Sequence, residues 1–203
     1  MNARHEYLSC LAQELADQII VTNTGGTQHE LFSLGDRDAT LYAAGIGLVS
    51  QVALGLAIAL PNRKVIALDG DGSLLLNLGI LPVLAQQKPG NLLVLVFDNG
   101  LYESGGNTPT LSGSGTDLAA IAAGSGITNV KTIRSVAEFK ETITAALNRF
   151  EFSFSVIRIE PGGLAVTPKG MSGVENKFRF IRHIEATEGK RIFSTPIRTS
   201  QKQ

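Results

Sequence analysis

The segment Leu92-Leu-Val-Leu-Val-Phe97 is the feature that most limits how this chain can fold. All of its residues are apolar, without the alternation of a strand that has one exposed face. Such a run is typical of a parallel strand that helices cover on both faces. Other strand-like runs at 64–68, 129–133 and 154–159 alternate with helical patterns. The sequence therefore predicts an α/β fold, a doubly wound parallel sheet flanked by helices.

The remaining segments are assigned by apolar spacing and by turn residues. Leu8, Leu11, Leu15 and Ile19 recur at helical spacing, which predicts an opening amphipathic helix that reaches Ile19. A strand is predicted at 40–43. The other predicted helices are 27–34, 47–60, 73–87 as one helix, 117–123, and 135–149 with a capping box of Ser135 and Glu138.

Composition and charge bound the class of protein. The chain has 203 residues, with 18 basic and 18 acidic side chains, so charge gives no reason to expect nucleic acid or a membrane surface as partner. The single cysteine, Cys10, supports no disulfide framework and predicts a cytoplasmic protein. We expect one domain over residues 1–184 and a polar C-terminal tail, mobile or docking, over residues 185–203.

Two polar turns follow two of the predicted strands directly. Gly70-Asp71-Gly72-Ser73 follows the strand at 64–68, and Asp98-Asn99-Gly100 follows the strand at 92–97. The 25 residues between Gly72 and Asp98 suit one helix and one strand. The two turns therefore belong to one βαβ unit and should lie side by side at the carboxyl edge of the sheet, where open sheets bind ligands.

The residue types in these turns suit a magnesium diphosphate. Glycines allow close approach of backbone, and a helix that begins at Ser73 presents free N–H groups to phosphate. Asp71, Asn99 and a backbone carbonyl in Gly100-Leu101 offer the oxygen ligands that Mg²⁺ prefers. No GxxxxGK[ST] phosphate loop is present. Each turn alone is also compatible with an ordinary connection, and it is their spacing that favours a site.

The motif Gly70-Asp71-Gly72 with Asp98-Asn99 resembles the GDG…NN signature of thiamine-diphosphate enzymes, with Asp98 where the first Asn is common. The resemblance implies thiamine diphosphate and Mg²⁺ as cofactors, with Asp71, Asn99 and the Leu101 carbonyl as metal ligands. It further implies cofactor contacts from Gly70, Gly72, Ser73, Asn99 and Leu101, from the Thr24-Gly25-Gly26 loop, and from the Ala44-Gly45-Ile46-Gly47 turn, where Ile46 supports the bent cofactor.

The loop from Asp98 to Thr110 is similar to the corresponding loop of sulfopyruvate and phosphonopyruvate decarboxylases, and so is the segment Pro161-Gly162-Gly163-Leu164 with Val174 to Lys177. This implies a β subunit that decarboxylates a small anionic 2-oxo acid. Ser104-Gly105-Gly106-Asn107 and Tyr102-Glu103 depart from the family pattern. Glu103 is thus a candidate to contact substrate or partner, against the alternative of a solvated loop charge.

In this family a glutamate from a separate pyrimidine-binding domain activates the cofactor. The length of the chain predicts that an α subunit supplies that domain, that this chain has no catalytic residue of its own, and that it also self-associates, as α2β2 or larger. The alternatives are a split acetolactate-synthase-like carboligase subunit, a non-catalytic cofactor-binding partner, and a 2-oxo acid oxidoreductase subunit, which the single cysteine disfavours.

Overall fold

The apolar run at 92–97 forms a fully buried strand near the middle of a six-stranded parallel sheet. A computed structural model describes residues 3–42 and 44–192 of the chain. The strands are β1 (Ile19–Thr22), β2 (Thr40–Leu41), β3 (Val65–Gly70), β4 (Leu92–Asp98), β5 (Leu101–Tyr102), β6 (Thr108–Pro109), β7 (Val130–Ile133) and β8 (Ser153–Arg158).

The sheet order is β2-β1-β3-β4-β8-β7, and all of its neighbouring pairs are parallel. Strands β5 and β6 form a separate antiparallel pair. The helices are α1 (Arg4–Glu14), α2 (Gly26–Ser33), α3 (Val49–Ala59), α4 (Asp71–Leu75), α5 (Ile80–Gln87), α6 (Leu118–Gly124), α7 (Val136–Asn148) and α8 (Gly173–Glu188). The predicted fold class is confirmed.

Helices cover both faces of the sheet, because successive strand residues point to opposite sides. Ile66 and Leu68 belong to a core layer with α1 and α7, in which Tyr7 and Phe139 pack edge to face with ring centroids 5.3 Å apart. Ala67 faces the other layer, which α3, α5, α6 and α8 complete. This double burial explains why strand residues could be uniformly apolar.

The opening helix is shorter than predicted. It ends at Glu14, and Ile19 begins β1, where it pairs with Val65 of β3. The spacing from Leu15 to Ile19 fits a helix by coincidence. The β-branched run that starts at Ile19 favours a strand, and pairing with β3 decides the outcome.

The single helix predicted over 73–87 is also wrong, since two helices stand there. Helix α4 ends at Leu75 and α5 begins at Ile80. Pro82 explains the break: inside a continuous helix its missing N–H would leave a carbonyl one turn earlier unpaired, whereas in the first turn of α5 that N–H is not required.

Helix α8 continues four residues into the predicted C-terminal tail, to Glu188, and closes on Gly189 in a left-handed conformation. The helix has a narrow apolar face, in which Phe180 and Ile184 are buried, so its mostly polar sequence concealed it. Residues 193–203 of the expected tail, and Ala43 of the predicted strand 40–43, lie outside the described residues.

The other predicted elements are confirmed to within a few residues. At the start of α7, Ser135 accepts a hydrogen bond from the Glu138 backbone N–H at 3.2 Å, as predicted. The Glu138 carboxylate accepts from the backbone N–H of Arg134 rather than from that of Ser135. The second hydrogen bond of the capping box is therefore made to the residue before the predicted one. None of the helices in the described ranges has the length and apolar character needed to span a membrane.

Asn176 is the polar contact that joins α8 to the edge of the sheet. It is fully buried. Its amide oxygen accepts a hydrogen bond from the Tyr42 N–H at 2.8 Å, and its amide nitrogen donates one to the Thr40 carbonyl at 3.0 Å. We expect Asn176→Ala to lower the free energy of unfolding by about 2–4 kcal/mol, because two buried backbone groups lose their partners. Asn148→Ala, which removes an exposed amide from α7, should change the free energy of unfolding by about 0.5 kcal/mol or less. Urea unfolding would contradict this if the two variants were equally stable.

Candidate functional site

The two polar turns lie on adjacent strands. Gly70 at the end of β3 is in register with Phe97 of β4, so Asp71 and Asp98, each one residue further on, emerge side by side at the carboxyl edge. The prediction that both turns share one edge of the sheet is confirmed. A cleft at this edge is lined by residues of both turns.

Asp71 is buried beneath the loop that follows β4. One of its carboxylate oxygens, Oδ2, accepts hydrogen bonds from Thr110 Oγ1 at 2.6 Å and Ser112 Oγ at 2.8 Å. Burial raises the pKa of Asp71, the two hydroxyl donors oppose this rise, and the nearby Asp98 charge adds to it. The loop after β4 is thereby closed over the turn after β3.

Asp98, which stands where the family signature commonly has Asn, is held away from a ligand role. Its Oδ1 lies 2.8 Å from Ser112 Oγ, whose single proton it shares with Asp71, and it accepts from the Gly100 N–H at 3.2 Å. Its other oxygen forms an ion pair with Arg158 of β8. The negative charge of Asp98 is thus tolerated at this position because Arg158 of β8 supplies a compensating positive charge.

Asn99 and Leu101 both face the cleft. The Asn99 amide oxygen accepts from the Leu101 N–H at 2.9 Å, which stabilises the turn between them. No cluster of three or more histidine, cysteine or acidic side chains suited to a metal exists among the described residues. A divalent cation here would therefore depend on one carboxylate and neutral oxygens, and such a set fits Mg²⁺ that keeps phosphate oxygens and water as further ligands.

The turn before α3 is tied to the end of β3 by hydrogen bonds. The Gly47 N–H donates to Ser73 Oγ at 2.9 Å. Ser73 and Ser50 both hydrogen-bond to the buried carboxylate of Asp69, with 2.8 Å between Ser50 Oγ and Asp69 Oδ2. Burial raises the pKa of Asp69 and the hydroxyl donors oppose the rise.

This network holds Ile46 at the cleft. Gly45 and Gly47, on either side of Ile46, have φ of +100° and +77°, a region that favours glycine. The Ile46 side chain is 49% exposed although it is apolar, and it lines the same cleft as Asp71, Asn99 and Leu101. The turn thus presents an apolar surface to whatever occupies the cleft.

Thr24-Gly25-Gly26 connects β1 to α2 and lines the same cleft. Gly25 has φ of +94°, and Gly26 begins α2, whose first N–H groups have no partner within the helix. Glycines beside a helix N-terminus allow phosphate oxygens to approach backbone N–H groups closely. The loop therefore supplies donors for an anion next to the oxygen ligands for a cation.

Arg4 of α1 lies behind this loop and was not predicted. It is 5% exposed, and its guanidinium pairs with Glu30 at 2.7 Å and with Glu103 at 2.9 Å. A Cβ on Gly26 would fall 2.1 Å from Arg4 Nη2, so glycine at this position leaves room for the arginine. No local pattern at the N-terminus indicated this role, because both partners are distant in sequence.

Most of the predicted site residues meet around the cleft. Ala44 and Gly45 do not line it: the Ala44 N–H continues the pairing beyond β1 by donating to the Thr22 carbonyl at 2.9 Å, and its side chain packs against the core. The predicted residues that line the cleft are Thr24, Gly25, Gly26, Ile46, Gly70, Asp71, Gly72, Ser73, Asn99 and Leu101.

Several lining residues were not among the predicted cofactor contacts, although Glu103 was a candidate to contact substrate or partner. Tyr102 packs on the Gly70–Gly72 turn so closely that a Cβ on Gly72 would fall 2.3 Å from its ring. The sequence signal for Tyr102 was its position in a long loop that follows a strand. The hydroxyls of Thr110 and Ser112, which hydrogen-bond to Asp71, had no such signal in the sequence. The additional lining residues are Arg4, Asn23, Thr27, Phe97, Tyr102, Glu103 and Ser104.

Comparison with known proteins gives a consistent result. The family described as thiamine pyrophosphate enzyme, C-terminal TPP binding domain, matches residues 29–158. Sulfopyruvate decarboxylase of Methanosarcina acetivorans is 37% identical over 87% of this chain and 46% of its own length. Phosphonopyruvate decarboxylase of Streptomyces viridochromogenes is 39% identical over 76% of the chain and 38% of its own length. The chain thus spans less than half of these two relatives.

A third relative has a similar length. The sulfopyruvate decarboxylase subunit beta of Methanocaldococcus jannaschii is 36% identical over 83% of this chain and 89% of its own length. Among solved structures, benzoylformate decarboxylase of Polynucleobacter necessarius matches with a TM-score of 0.62 and 23% identity, over 82% of this chain and 34% of that one. At that identity the match supports the fold.

The buried Arg4 cluster gives a stability prediction. Arg4→Leu leaves Glu30, 1% exposed, without its cation, and we expect the free energy of unfolding to fall by about 3–5 kcal/mol. Removing both partners in Arg4→Leu, Glu30→Leu should be less damaging than the single change. Arg179→Leu breaks the partly exposed ion pair with Asp36, and this variant should change the free energy of unfolding by about 1 kcal/mol or less. Equal losses in the three variants by denaturant unfolding would contradict the prediction.

Proposed function

Since this chain belongs to the thiamine pyrophosphate enzyme family and carries its C-terminal-type cofactor-binding domain, we propose that it is the β subunit of a Mg²⁺-dependent decarboxylase of small anionic 2-oxo acids. The substrate class is that of 3-sulfopyruvate and 3-phosphonopyruvate. The names and identities of the relatives from Methanosarcina, Streptomyces and Methanocaldococcus support this choice. We further propose a cytoplasmic location.

The observation that carries the proposal is the convergence of two kinds of contact on one cleft. Asp71, Asn99 and the Leu101 carbonyl would hold Mg²⁺, and the Mg²⁺ would hold the cofactor diphosphate. The loop at Gly25 and Gly26 would donate backbone N–H groups to the same diphosphate. The residues that carry these groups follow the ends of β1, β3 and β4, and all of them line the cleft.

Bound thiamine diphosphate supplies a nucleophilic carbon and an electron sink for the loss of CO₂ from a 2-oxo acid. This chain contributes binding and orientation. Ile46, which lines the same cleft, would press against the cofactor and favour a bent conformation. Tyr102, packed on Gly72, would shield the diphosphate from water at the mouth of the cleft.

The activating glutamate is proposed to come from an α subunit. Among the described residues, the carboxylates that line the cleft are Asp71 and Glu103. Asp71 is hydrogen-bonded by Thr110 and Ser112, and Glu103 is paired with Arg4. Neither is free to act on a distant pyrimidine ring, so a separate domain must supply that group.

An apolar surface beside the cleft fits such a partner. Ile46, Leu48 and Leu76 are each about half exposed or more, and they lie close together, since Gly47 approaches Leu76 and Gly45 approaches Leu48. Apolar side chains grouped at the rim of a site are typical of protein–protein contacts. We propose that the α subunit covers this surface, and that the αβ unit self-associates into α2β2 or a larger assembly.

The acid group of the substrate is proposed to be bound by the partner. Arg4 is the cation that lines the cleft among the described residues, and two carboxylates already neutralise it. It is therefore a poor clamp for a sulfonate or phosphonate. The α subunit would provide the positive charge that selects the substrate.

The metal site is tested by substitution of Asp71. We expect Asp71→Ala to abolish Mg²⁺-dependent binding of thiamine diphosphate, measured by titration calorimetry, because the one carboxylate ligand is lost. Asp36→Asn, which breaks an ion pair outside the cleft, is the control and should bind normally. Retained Mg²⁺-dependent binding in Asp71→Ala would contradict the assignment.

The need for a partner is tested by assaying the chain with and without its α subunit. We expect the chain alone to bind the cofactor but to release no CO₂ from 3-sulfopyruvate, 3-phosphonopyruvate or pyruvate. The co-purified complex should decarboxylate one of the first two. Full turnover by the chain alone would refute the division of the site, whereas formation of a carboligated product would identify the carboligase alternative.

A further inference from the structure

We propose that a cavity beneath helix α7 is a second binding site, which takes a small oxyanion, either free or as the acid group of an organic molecule. The cavity lies at the amino-terminal edge of the sheet, because its strand residues come from the start of β7 and β8. The cofactor cleft lies at the carboxyl edge. The two sites are thus separate, and this one does not depend on the proposed function.

Small side chains leave space between α7 and the start of β8. Ser153 and Ser155 point to the same face of β8 as Ile157, which belongs to the apolar core, but they are too small to fill that layer. The α7 residues that line the cavity with them include Ala145 and Ala146. The cavity measures about 200 Å³, whereas a single water needs only about 10–15 Å³. It therefore admits a group of several heavy atoms.

The two serines that line the cavity are buried and have unpaired hydroxyls. Ser155 is 1% exposed and Ser153 is 7% exposed, and in the part of the chain that the structure describes neither Oγ has a hydrogen-bond partner. Buried hydroxyls are nearly always paired, since an unpaired one costs free energy. Alanine or valine at these positions would avoid that cost. The hydroxyls therefore indicate a group that enters the cavity and pairs with them.

Two exposed cationic side chains also line the cavity. They are Lys131, which is in register with Ser155, and Arg149, which follows α7. Among the described residues neither forms an ion pair. Lys64 donates to the Arg149 backbone carbonyl, which holds the end of α7 at the cavity. The lining has one carboxylate, that of Glu151, so two cations and one anion leave it with a net positive charge.

This set of groups suits an oxyanion. The ammonium of Lys131, the guanidinium of Arg149 and the serine hydroxyls all donate hydrogen bonds, and a sulfate, sulfonate or phosphate offers at least three acceptor oxygens to them. A guanidinium also matches the geometry of such a group with two parallel hydrogen bonds. A cationic ligand would be repelled, and a neutral one would leave the positive charge uncompensated.

The binding test uses the full-length chain at saturating thiamine diphosphate and Mg²⁺, so that the donors of the cofactor cleft are occupied. Inorganic sulfate and ethanesulfonate are titrated by calorimetry, with sodium chloride at equal ionic strength as the reference. We expect the double change Lys131→Gln, Arg149→Gln to weaken binding of the preferred probe by about tenfold or more, because charge-assisted hydrogen bonds are lost. Preference for sulfate would indicate a free inorganic ion, and preference for ethanesulfonate an organic acid.

The matched control removes two charges elsewhere on the surface. Lys140 and Lys190 are exposed and do not line the cavity, so the double change Lys140→Gln, Lys190→Gln should bind both probes as the wild type does. Equal affinity in the two double variants would overturn the proposal, and so would a response of the wild type to sulfate and ethanesulfonate that chloride reproduces.

A third variant separates a ligand site from a structural role of the hydroxyls. Ser155→Ala removes a buried unpaired group, so we expect the free energy of unfolding of the anion-free chain to stay the same or rise, while binding of the preferred probe weakens by about tenfold. Lower stability with unchanged binding would show that the hydroxyl is structural and would overturn the proposal. A wild-type chain that bound no cofactor would count against the proposed function alone, since these comparisons concern the other edge of the sheet.

Discussion

The parallel pairing of β3 with β4 is the interaction on which the candidate site depends. It places Gly70 beside Phe97, so the next residues of both strands, Asp71 and Asp98, leave the sheet at one edge and in one direction. Hydrogen bonding along the strands specifies this register, and burial on both faces prevents slippage, since a shift by one residue would turn every side chain to the opposite face. A carboxylate and an amide that are 28 positions apart in sequence are thereby brought to one cleft.

Hydrogen bonds to buried carboxylates then organise the loops around that edge. Asp71 holds the loop after β4 through Thr110 and Ser112, and Asp69 holds the turn before α3 through Ser50 and Ser73. Each carboxylate is buried, so its stability in that position requires these donors. Polar groups that the core would otherwise exclude serve here to fix loop geometry, and this keeps Ile46 at the cleft.

Under the proposed function, the cleft is half of an active site in its chemistry as well as in its extent. Its cationic side chain is neutralised, its carboxylates are engaged, and its rim is apolar. On that proposal, the cleft would bind the cofactor by its diphosphate end and leave the reacting end for a partner. The division suits a heteromeric enzyme, because activity then appears when both chains meet and the reactive carbon is shielded from water.

The sequence by itself determined the fold class, the two polar turns and the glycines that they require, because these depend on local apolar runs and on residue types at strand ends. Spacing placed Asp71 and Asn99 together, since one helix and one strand fit between them. The tertiary structure alone decided that Ile19 starts a strand and that α8 packs through Asn176. It also decided that Arg4 reaches Glu103 across 99 positions of sequence. Those contacts join segments that only folding brings together, and no local pattern of residues encodes which distant side chain will fill the space that a glycine leaves.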